Sequence, residues 1–452
     1  MCAAVPRCLR ESGIPGSDVA AIACDGTSFT GVFCDTQAVP LRPAILWMDL
    51  RAADEAAEVE ATRDPVLDHC GRRISPEWLL PKVLWVQRHE ADVYRQSARI
   101  VEGVDWLIHR LCGRWVTSTG NAAGKRHWTP GNGWPAAFYD TLGLPGLADK
   151  SPDHVLYVGE AAGRLLPEAA EALGLSRDCV VAHAGMDGWT APIGKDCFRP
   201  GCLSLILGTS TVAVLETDSP RLIDGVMGPF PDGIRRGRAV YEAGQTSGGS
   251  TVGWLLSILG IDVDSPKHEA LQREAAEIPP GSNGLVVFDA WRGNRTPYYN
   301  PHARGTICGL TLEHGPAHLY RALLEGCAFG VRNVFTTLDQ GGCPIAEVRT
   351  CGSGAANTLW TQIIADATGL PLLVSSETQA TCLGSAVCAA VACGAFDSLE
   401  DAAAAMAPDF HSVEPHHGAQ DYEPYYALYL ETYARMKPTM GRLSRLSGEI
   451  PR

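Results

Sequence analysis

Apolar and polar positions follow two different periods along the chain, and these periods predict strands and helices in alternation. Short apolar runs bounded by turn residues predict strands at 19–24, 30–34, 179–184, 203–207, 211–216, 238–243, 284–288, 347–351 and 371–374. Apolar positions three or four residues apart predict helices at 2–12, 51–62, 81–87, 105–111, 167–173, 252–259, 318–338, 357–368 and 381–395. The Gly-, Pro- and Trp-rich stretch 130–145 is typical of a loop. The chain is therefore predicted to be an α/β protein.

The alternation occurs in both halves of the chain, which predicts two α/β domains. A chain of 452 residues is too long for one ordinary core, and a run of closely spaced predicted strands begins just after residues 195–202. We expect an N-terminal domain at 1–197, a C-terminal domain at 198–437 and a tail at 438–452. The second half opens with a hairpin, whereas the first half enters at a helix.

Composition and charge narrow the class of protein. Hydrophobic residues make up 46% of the chain and charged residues 19%, which is typical of a globular protein. The formal net charge of −14 argues against a nucleic-acid partner, and an anionic ligand would need local donors such as turn amides, Lys or a divalent metal. We see no signal peptide and no apolar span of about 18 residues. These observations predict a cytoplasmic protein with no membrane partner.

The 16 cysteines are scattered along the chain, and many lie inside apolar runs. No C-x-x-C occurs; Cys197 and Cys202 are separated by four residues and have no second pair or His cluster nearby. We expect reduced, mostly buried thiols and assign no residue as a metal ligand.

Two motifs suggest phosphoryl transfer. Gly208, Thr209 and Ser210 form a turn between apolar, β-rich runs, and such a turn can aim N–H and hydroxyl donors at a phosphate. Asp187, in the Gly-rich segment 184–194, is able to accept the proton of an alcohol that attacks that phosphate. Each motif also has an ordinary structural explanation. The 208–210 turn would be a plain hairpin, and Asp187 would be a turn residue that caps the next helix.

Several motifs in a fixed order give the chain its resemblance to a family. The stretch 41–52 contains Pro-Ala-Ile-Leu-Trp-Met-Asp-Leu-Arg-Ala, and 185–194 contains Asp187. Further matching segments are 207–210, 293–297, 304–305, 309–312, 320–330 and 351–360. Over about residues 15–395 the chain resembles the FGGY carbohydrate kinases, most closely the pentulose kinases typified by xylulokinase and the ribulokinases.

The resemblance implies two ribonuclease-H-like (actin-type) domains with a cleft between them. The sugar would bind the first domain and ATP with Mg²⁺ the second, and closure would exclude water. It implies that the catalytic base is Asp187. The implied ATP-binding residues are Gly208, Thr209, Ser210, Gly249, Gly352, Ser353, Gly354 and Asn357, and the implied substrate-binding residues are Ser28, Phe29, Trp47, Asp49, Asp187 and Gly188.

Some of these roles have structural alternatives. Trp47 would stack on the sugar or lie in the core, and Asp49 would accept sugar hydroxyls or pair with Arg51. Ser353 would contact nucleotide or simply cap a helix. Asn294 and Arg295 are expected to clamp the domain junction rather than act in catalysis.

The start of the chain departs from the family pattern. Members of the family begin with a strand and an Asp-x-Gly-Thr turn that touches phosphate and metal, and this chain begins after that turn. The segment 25–27 reads Asp-Gly-Thr, but its position matches the family's sugar-side segment. A misplaced gene start, a fragment and a degenerate kinase all account for this. We expect the first sheet to expose an unpaired edge.

The function implied by the resemblance is ATP-dependent phosphorylation of a ketopentose, of xylulose or ribulose type, at a terminal hydroxyl. The alternatives are a kinase for another sugar or polyol, and a non-catalytic remnant that binds nucleotide or sugar. ATP and Mg²⁺ are the implied cofactors. A homodimer is common in the family, and the sequence does not identify the sugar.

Overall fold

Two α/β halves follow one another in a computed structural model that describes residues 1–416 and 419–446. The strands of the first half are β1 (Ala21–Gly26), β2 (Gly31–Cys34), β3 (Arg99–Glu102), β4 (Val116–Ser118), β5 (His154–Leu156), β6 (Ala161–Arg164) and β7 (Val180–Met186). Its helices are α1 (Ala4–Ser12), α2 (Ala53–Ala61), α3 (Leu79–His89), α4 (Ala91–Gln96), α5 (Gly103–Cys112), α6 (Thr119–Arg126), α7 (Ala136–Thr141), α8 (Leu147–Lys150), α9 (Pro167–Leu173) and α10 (Asp187–Gly194).

The second half contains the larger sheet and the longest helices. Its strands are β8 (Cys202–Leu207), β9 (Thr211–Thr217), β10 (Met227–Pro231), β11 (Ala239–Gln245), β12 (Val286–Phe288), β13 (Thr306–Cys308), β14 (Glu347–Cys351), β15 (Leu372–Ser375) and β16 (Phe410–Val413). Its helices are α11 (Gly249–Leu259), α12 (Pro266–Ala276), α13 (Pro316–Gln340), α14 (Thr358–Thr368), α15 (Ala380–Ala392), α16 (Leu399–Met406) and α17 (Ala419–Leu446).

The second-half sheet has the strand order β10-β11-β9-β8-β14-β15-β16. Strands β8, β9 and β11 pair antiparallel, whereas β14 pairs parallel with both β8 and β15. The β8–β14 register places Ile206 opposite Cys351, so the two strands end side by side. The turns that follow them therefore meet at one edge of the sheet.

The first-half sheet has the order β1-β7-β6, with β1 and β7 parallel in the manner of β14 and β15. In the second half, β8 pairs with the outer edge of β14. Throughout residues 1–201, all of which the structure describes, no strand occupies the equivalent edge of β1. Helix α15, from the second half, packs against both β1 and β7.

The two halves share part of their hydrophobic core. One cluster combines Phe33, Met186 and Trp189 with Phe230 and Val387 from the second half. The Trp189 and Phe230 rings lie 5.1 Å apart between centroids. The helix that begins at Asp187 is therefore packed against the sheet of the other half.

The predicted α/β fold is confirmed, and the predicted strands and helices occur with small shifts at their ends. The loop prediction for 130–145 is wrong at α7, because Phe138 is buried and the Tyr139 hydroxyl donates to the Arg126 carbonyl at 2.5 Å. The segment expected as a tail from 438 is helical to Leu446, with Met440 buried. Among the described helices, none has the length and apolar character needed to cross a bilayer.

Candidate active site

Asp187 lies beside the turn that follows β1. Strand β7 ends at Met186, and Asp187 is the first residue of α10. The parallel register pairs Gly26 with Met186, so β1 and β7 end at the same level. The segment Thr27–Thr30, here named the β1 turn, therefore begins next to the base predicted from the sequence.

The carboxylate of Asp187 is half-buried at the start of its helix. Its Oδ1 accepts a hydrogen bond from the Gly188 N–H at 2.7 Å, and its carbonyl accepts one from the Thr381 hydroxyl at 3.4 Å. A Cβ on Gly188 would meet no atom within 4 Å. The start of α10 therefore faces open space, which leaves room for a ligand.

The β1 turn holds Ser28 and Phe29 in unusual surroundings. Ser28 is 6% exposed, and its hydroxyl has no hydrogen-bond partner in the part of the chain that the structure describes. Phe29 has a φ of 70°, a left-handed conformation that is uncommon for a residue with a side chain. Its N–H donates to Glu102 at 2.9 Å, and its carbonyl accepts from Lys82 at 3.1 Å.

The second predicted sugar segment is the loop Leu46–Asp49, here named the Trp47 turn. Trp47 is 37% exposed, so it is not a core residue. The Lys82 ammonium donates to the carbonyls of Leu46 and Trp47 at 2.7 and 2.9 Å. One buried lysine therefore binds the Trp47 turn and the β1 turn together.

Asp49 makes the pair with Arg51 that the sequence left as an alternative. The guanidinium binds both carboxylate oxygens, at 2.9 and 2.7 Å. These hydrogen bonds lower the pKa of the Asp49 carboxyl. Asp49 is thus held ionised and oriented, with part of its surface still exposed.

The β8 turn, Gly208–Ser210, forms one unit with the start of α11. The Gly249 N–H donates to the Gly208 carbonyl at 2.8 Å, and the Ser250 hydroxyl donates to the Thr209 carbonyl at 2.8 Å. A Cβ on Gly249 would lie 2.9 Å from the Gly208 carbonyl oxygen, so this close approach requires glycine. The turn and the helix N-terminus together favour an anionic group.

The β14 turn, Gly352–Gly354, lies against the end of β8. Gly352 has a φ of 98°, and a Cβ on it would come within 2.5 Å of the Leu207 carbonyl oxygen. Gly354 also approaches Leu207, and Ser353 between them is exposed. The structure thus brings together the two glycine turns that the sequence assigned to nucleotide.

Asn357 has a structural task as well. Its Oδ1 accepts the Trp360 N–H at 3.1 Å, which caps α14, and its amide donates to the Tyr320 hydroxyl at 2.9 Å. The capping role considered for Ser353 therefore belongs to Asn357 instead. A nucleotide contact by Asn357 would have to share its side chain with these bonds.

Further polar contacts connect the halves close to the site, besides the bond from Thr381 to the Asp187 carbonyl. The Trp189 indole donates to Glu242 at 2.9 Å, and the Ser385 hydroxyl donates to Asp25 at 2.5 Å. Arg295, predicted as part of a clamp, lies 3.9 Å from a carboxylate oxygen of Glu77. The two halves are thus linked by polar contacts as well as by the shared core.

Sequence reasoning missed the charged residues beneath the β1 turn. Lys82 is fully buried within α3, and Glu102 and Asp105 are fully buried around the start of α5. The position of Lys82 inside the apolar run 79–86 is the sequence signal that could have indicated a buried charge. The long-range partners of these residues have no signature in local sequence. Within the described residues, no three His, Cys, Asp or Glu side chains are grouped to hold a metal ion.

Comparison with known proteins identifies the family. Residues 1–194 match the N-terminal domain, and residues 203–393 the C-terminal domain, of the FGGY family of carbohydrate kinases. A ribulokinase from Mycolicibacterium smegmatis is 33% identical, over 97% of this chain and 84% of its own length. A ribulokinase from Bacillus licheniformis is 30% identical, over 98% of this chain and 87% of its own length.

The fold comparison agrees with the sequence comparison. The crystal structure of xylulose kinase from Rhodospirillum rubrum has a TM-score of 0.84 to this structure and 25% sequence identity, covering 97% of this chain and 88% of that chain. Both domains thus match in sequence, and the overall fold matches as well. The chain belongs to the FGGY family of carbohydrate kinases.

Proposed function

We propose that this carbohydrate kinase transfers the γ-phosphoryl group of ATP to a terminal hydroxyl of a ketopentose, with Asp187 as the general base. The observation that carries the proposal is the β1–β7 register, in which Gly26 lies opposite Met186. Asp187 follows Met186 directly and so lies next to the β1 turn, which supports a role for its carboxylate at a ligand bound there. The names of the relatives, ribulokinase and xylulose kinase, support a pentulose of ribulose or xylulose type.

On the sugar side, the β1 turn and the Trp47 turn supply complementary chemistry. The half-exposed Trp47 ring offers an apolar face for the C–H groups of a sugar. The unpartnered Ser28 hydroxyl and the oriented Asp49 carboxylate offer hydrogen bonds to sugar hydroxyls. Gly188 offers only its backbone, which leaves space for the substrate beside Asp187.

On the nucleotide side, the β8 turn and Gly249 would hold the β- and γ-phosphates. The hydroxyls of Thr209 and Ser210 would donate to them, and the positive end of the α11 dipole would attract their charge, while the N–H groups of Gly249 and Ser250 are bonded to the β8-turn carbonyls. The β14 turn and Asn357, at the adjoining edge of the same sheet, would flank the nucleoside. Such local donors are needed because the chain as a whole carries a net charge of −14.

Mg²⁺ would enter with the nucleotide. This ion keeps several waters and binds through phosphates and one or two carboxylates, so it does not need a dedicated protein cage. When bound, the ion would neutralise charge on the phosphates.

The proposed chemical step uses Asp187 as the base. Its carboxylate takes the proton of the sugar hydroxyl while that oxygen forms a bond to the γ-phosphorus. The bond between the γ-phosphorus and the β–γ bridging oxygen breaks, and ADP leaves with that electron pair. The proton on Asp187 then passes to solvent, which the half-buried carboxyl can reach.

A second candidate is a protein that binds sugar and nucleotide without transferring phosphate. A kinase of another sugar or polyol differs from our proposal only in the substrate, because pocket hydroxyl contacts set that choice.

Measuring ADP formation tests these candidates together. The chain is incubated with Mg²⁺, ATP and either D-xylulose, D-ribulose, L-ribulose or glycerol, and ADP release is compared with a reaction that lacks sugar. We expect ADP release above the sugar-free rate with at least one pentulose. Calorimetric binding of sugar and nucleotide with no sugar-dependent ADP would instead establish the binding protein, and turnover with glycerol alone would establish the polyol kinase.

A further inference from the structure

Two buried charged side chains, Lys82 and Glu102, hold the β1 turn from both sides. We propose that they are positioning residues for pentulose binding, which fix Phe29 in its left-handed conformation and thereby set Ser28 and Trp47 toward the sugar. Neither residue needs to touch the substrate. The inference rests on the proposed function, because it takes the β1 turn and the Trp47 turn as the sugar-binding surface.

Phe29 is the residue that needs to be held. Its φ of 70° places it in a region that residues with a Cβ rarely adopt. Both of its backbone polar groups are bonded to charged side chains, the N–H to Glu102 Oε2 at 2.9 Å and the carbonyl to Lys82 Nζ at 3.1 Å. Such strained residues persist where their surroundings over-determine them, and they concentrate at functional sites.

The bonding of Lys82 requires an ammonium group. Its Nζ lies within hydrogen-bond distance of three carbonyl oxygens, those of Phe29, Leu46 and Trp47, at 3.1, 2.7 and 2.9 Å. An ammonium has three hydrogens to donate, whereas a neutral amine has two. Loss of the proton would therefore remove one of the three hydrogen bonds by which Lys82 holds the two turns.

The bonding of Glu102 favours a carboxylate. Its Oε2 accepts hydrogen bonds from the Phe29 N–H and from the Asn121 side-chain amide, at 2.9 and 2.8 Å. Two donors on one oxygen favour the ionised form. Protonation of Glu102 would weaken both bonds and loosen the N–H side of Phe29.

The same network continues to the strand that carries Asp187. Asp105 accepts the Glu102 N–H at 3.0 Å and the His183 Nε2–H at 3.0 Å. The His183 Nδ1 accepts the Gly185 N–H at 3.0 Å, which assigns the hydrogen to Nε2 and makes the ring neutral. Because Gly185 lies two residues before Asp187, one set of buried polar groups positions both the β1 turn and the end of β7.

The charged groups around Glu102 shift the pKa of its carboxyl in opposite directions. Asp105, on α5, disfavours its negative charge, whereas Arg126, on α6, favours it. Burial has the largest effect and raises the pKa of Glu102 to about 7. His183 is bonded to Asp105, which in turn accepts the Glu102 N–H.

The charged groups around Lys82 are mostly acidic. Asp49, Glu77 and Glu102 favour its positive charge, and Arg51 disfavours it. Burial has the largest effect and lowers the pKa of Lys82 to about 8. Burial thus moves the two pKa values towards each other, so that acid protonates Glu102 and alkali deprotonates Lys82 closer to neutral pH than usual. Pentulose affinity should fall on the acid side as Glu102 is protonated and on the alkaline side as Lys82 loses its proton.

The test uses Glu102→Gln and Lys82→Met in the full chain, with Glu58→Gln and Lys150→Met as matched controls. Glu58 pairs with Arg88 on the surface, and Lys150 donates to the Ser97 carbonyl. Calorimetric Kd values are measured for D-xylulose, D-ribulose and L-ribulose and for ATP, with the Tm of each variant. We expect pentulose Kd to rise roughly tenfold or more in the two test variants, on the scale of a lost hydrogen bond to a charged group, and ATP Kd to stay constant.

The outcomes separate this inference from the proposed function. Unchanged pentulose Kd in folded Lys82→Met and Glu102→Gln, alongside weaker binding by Trp47→Ala, would overturn the positioning role alone. Unchanged binding by all three variants would show that the β1 turn and the Trp47 turn do not bind the sugar. That result would overturn both the positioning role and the sugar-binding part of the proposed function. Should the variants fail to fold, the wild-type chain decides: we expect pentulose affinity to pass through a maximum across roughly pH 6 to 9, and a flat profile would contradict the inference.

Discussion

Gly194 and Gly384 face each other where α10 crosses α15. A Cβ on Gly194 would lie 2.6 Å from the backbone nitrogen of Gly384, and a Cβ on Gly384 would lie 3.0 Å from that of Gly194. The two helices are therefore in backbone contact, with no side chain between them at this point. One of them begins with Asp187, and the other belongs to the half that carries the turns proposed to bind nucleotide. The crossing thus links the proposed base to the opposite half of the molecule.

Replacing Gly384 with Ala should destabilise this crossing. The new Cβ would lie 2.1 Å from the Thr190 carbonyl oxygen, which is backbone and has little room to move. We expect the free energy of unfolding to fall by about 1–3 kcal/mol, the usual cost of overpacking. Denaturant unfolding followed by circular dichroism measures it.

Gly253→Ala is the matched control for that substitution. Gly253 lies inside α11, and a Cβ on it would meet no atom within 4 Å. Alanine should therefore raise helix stability there, by up to about 1 kcal/mol. Equal stability of Gly384→Ala and the wild-type chain would show that the crossing is looser than the structure indicates.

Single substitutions should weaken ATP binding and sugar binding independently of each other. In Gly354→Val the first carbon of the new side chain would lie 2.6 Å from the Trp360 ring and 2.9 Å from the Leu207 carbonyl oxygen, which should displace the β14 turn. Trp47→Ala removes an exposed ring from the other half. By calorimetry, we expect Gly354→Val to lose ATP binding and keep sugar binding, and Trp47→Ala to do the reverse. A swapped pattern would mean that the two domains are assigned wrongly.

The Asp49–Arg51 pair allows a test of whether Asp49 binds sugar. As a partly exposed ion pair it should add about 1 kcal/mol or less to stability, so Asp49→Asn and Arg51→Met should both leave the Tm nearly unchanged. If Asp49 binds sugar, Asp49→Asn should raise the sugar KM, and Arg51→Met should raise it less because the carboxylate remains. Wild-type sugar KM in both variants would leave Asp49 with a structural role only.

Local sequence predicted the elements whose signals are local. The β8 turn and the helix that starts near Gly249 were predicted because glycine and small polar residues separate the apolar runs there. The long helix α13 was predicted from its apolar spacing, and it occurs at Pro316–Gln340. Short elements such as α7 were missed, because Phe138 and Tyr139 are fixed by tertiary burial within a Gly- and Pro-rich segment.

In the candidate site, too, features with a local sequence signal were predicted and features fixed by long-range contacts were not. The sequence placed Asp187 at the end of a strand, and the β1–β7 register then brought it to the β1 turn as parallel pairing requires. It did not indicate that Lys82 and Glu102 both reach Phe29, since those contacts span 53 and 73 residues. Nor could it decide whether Asp49 pairs with Arg51. Contacts between distant segments depend on the folded arrangement, which no local pattern encodes.

The most direct test of the account is the turnover of Asp187→Asn with the best pentulose, measured beside the wild-type chain and the surface control Asp178→Asn. Asparagine keeps the shape of the side chain but does not take up the hydroxyl proton, so kcat should fall by about 10²–10⁴-fold. Calorimetric sugar affinity should change little, and Asp178→Asn, at an exposed carboxylate paired with Arg164, should behave like wild type. Near-normal kcat in Asp187→Asn would contradict the account, because the proton of the sugar hydroxyl would then have to go elsewhere.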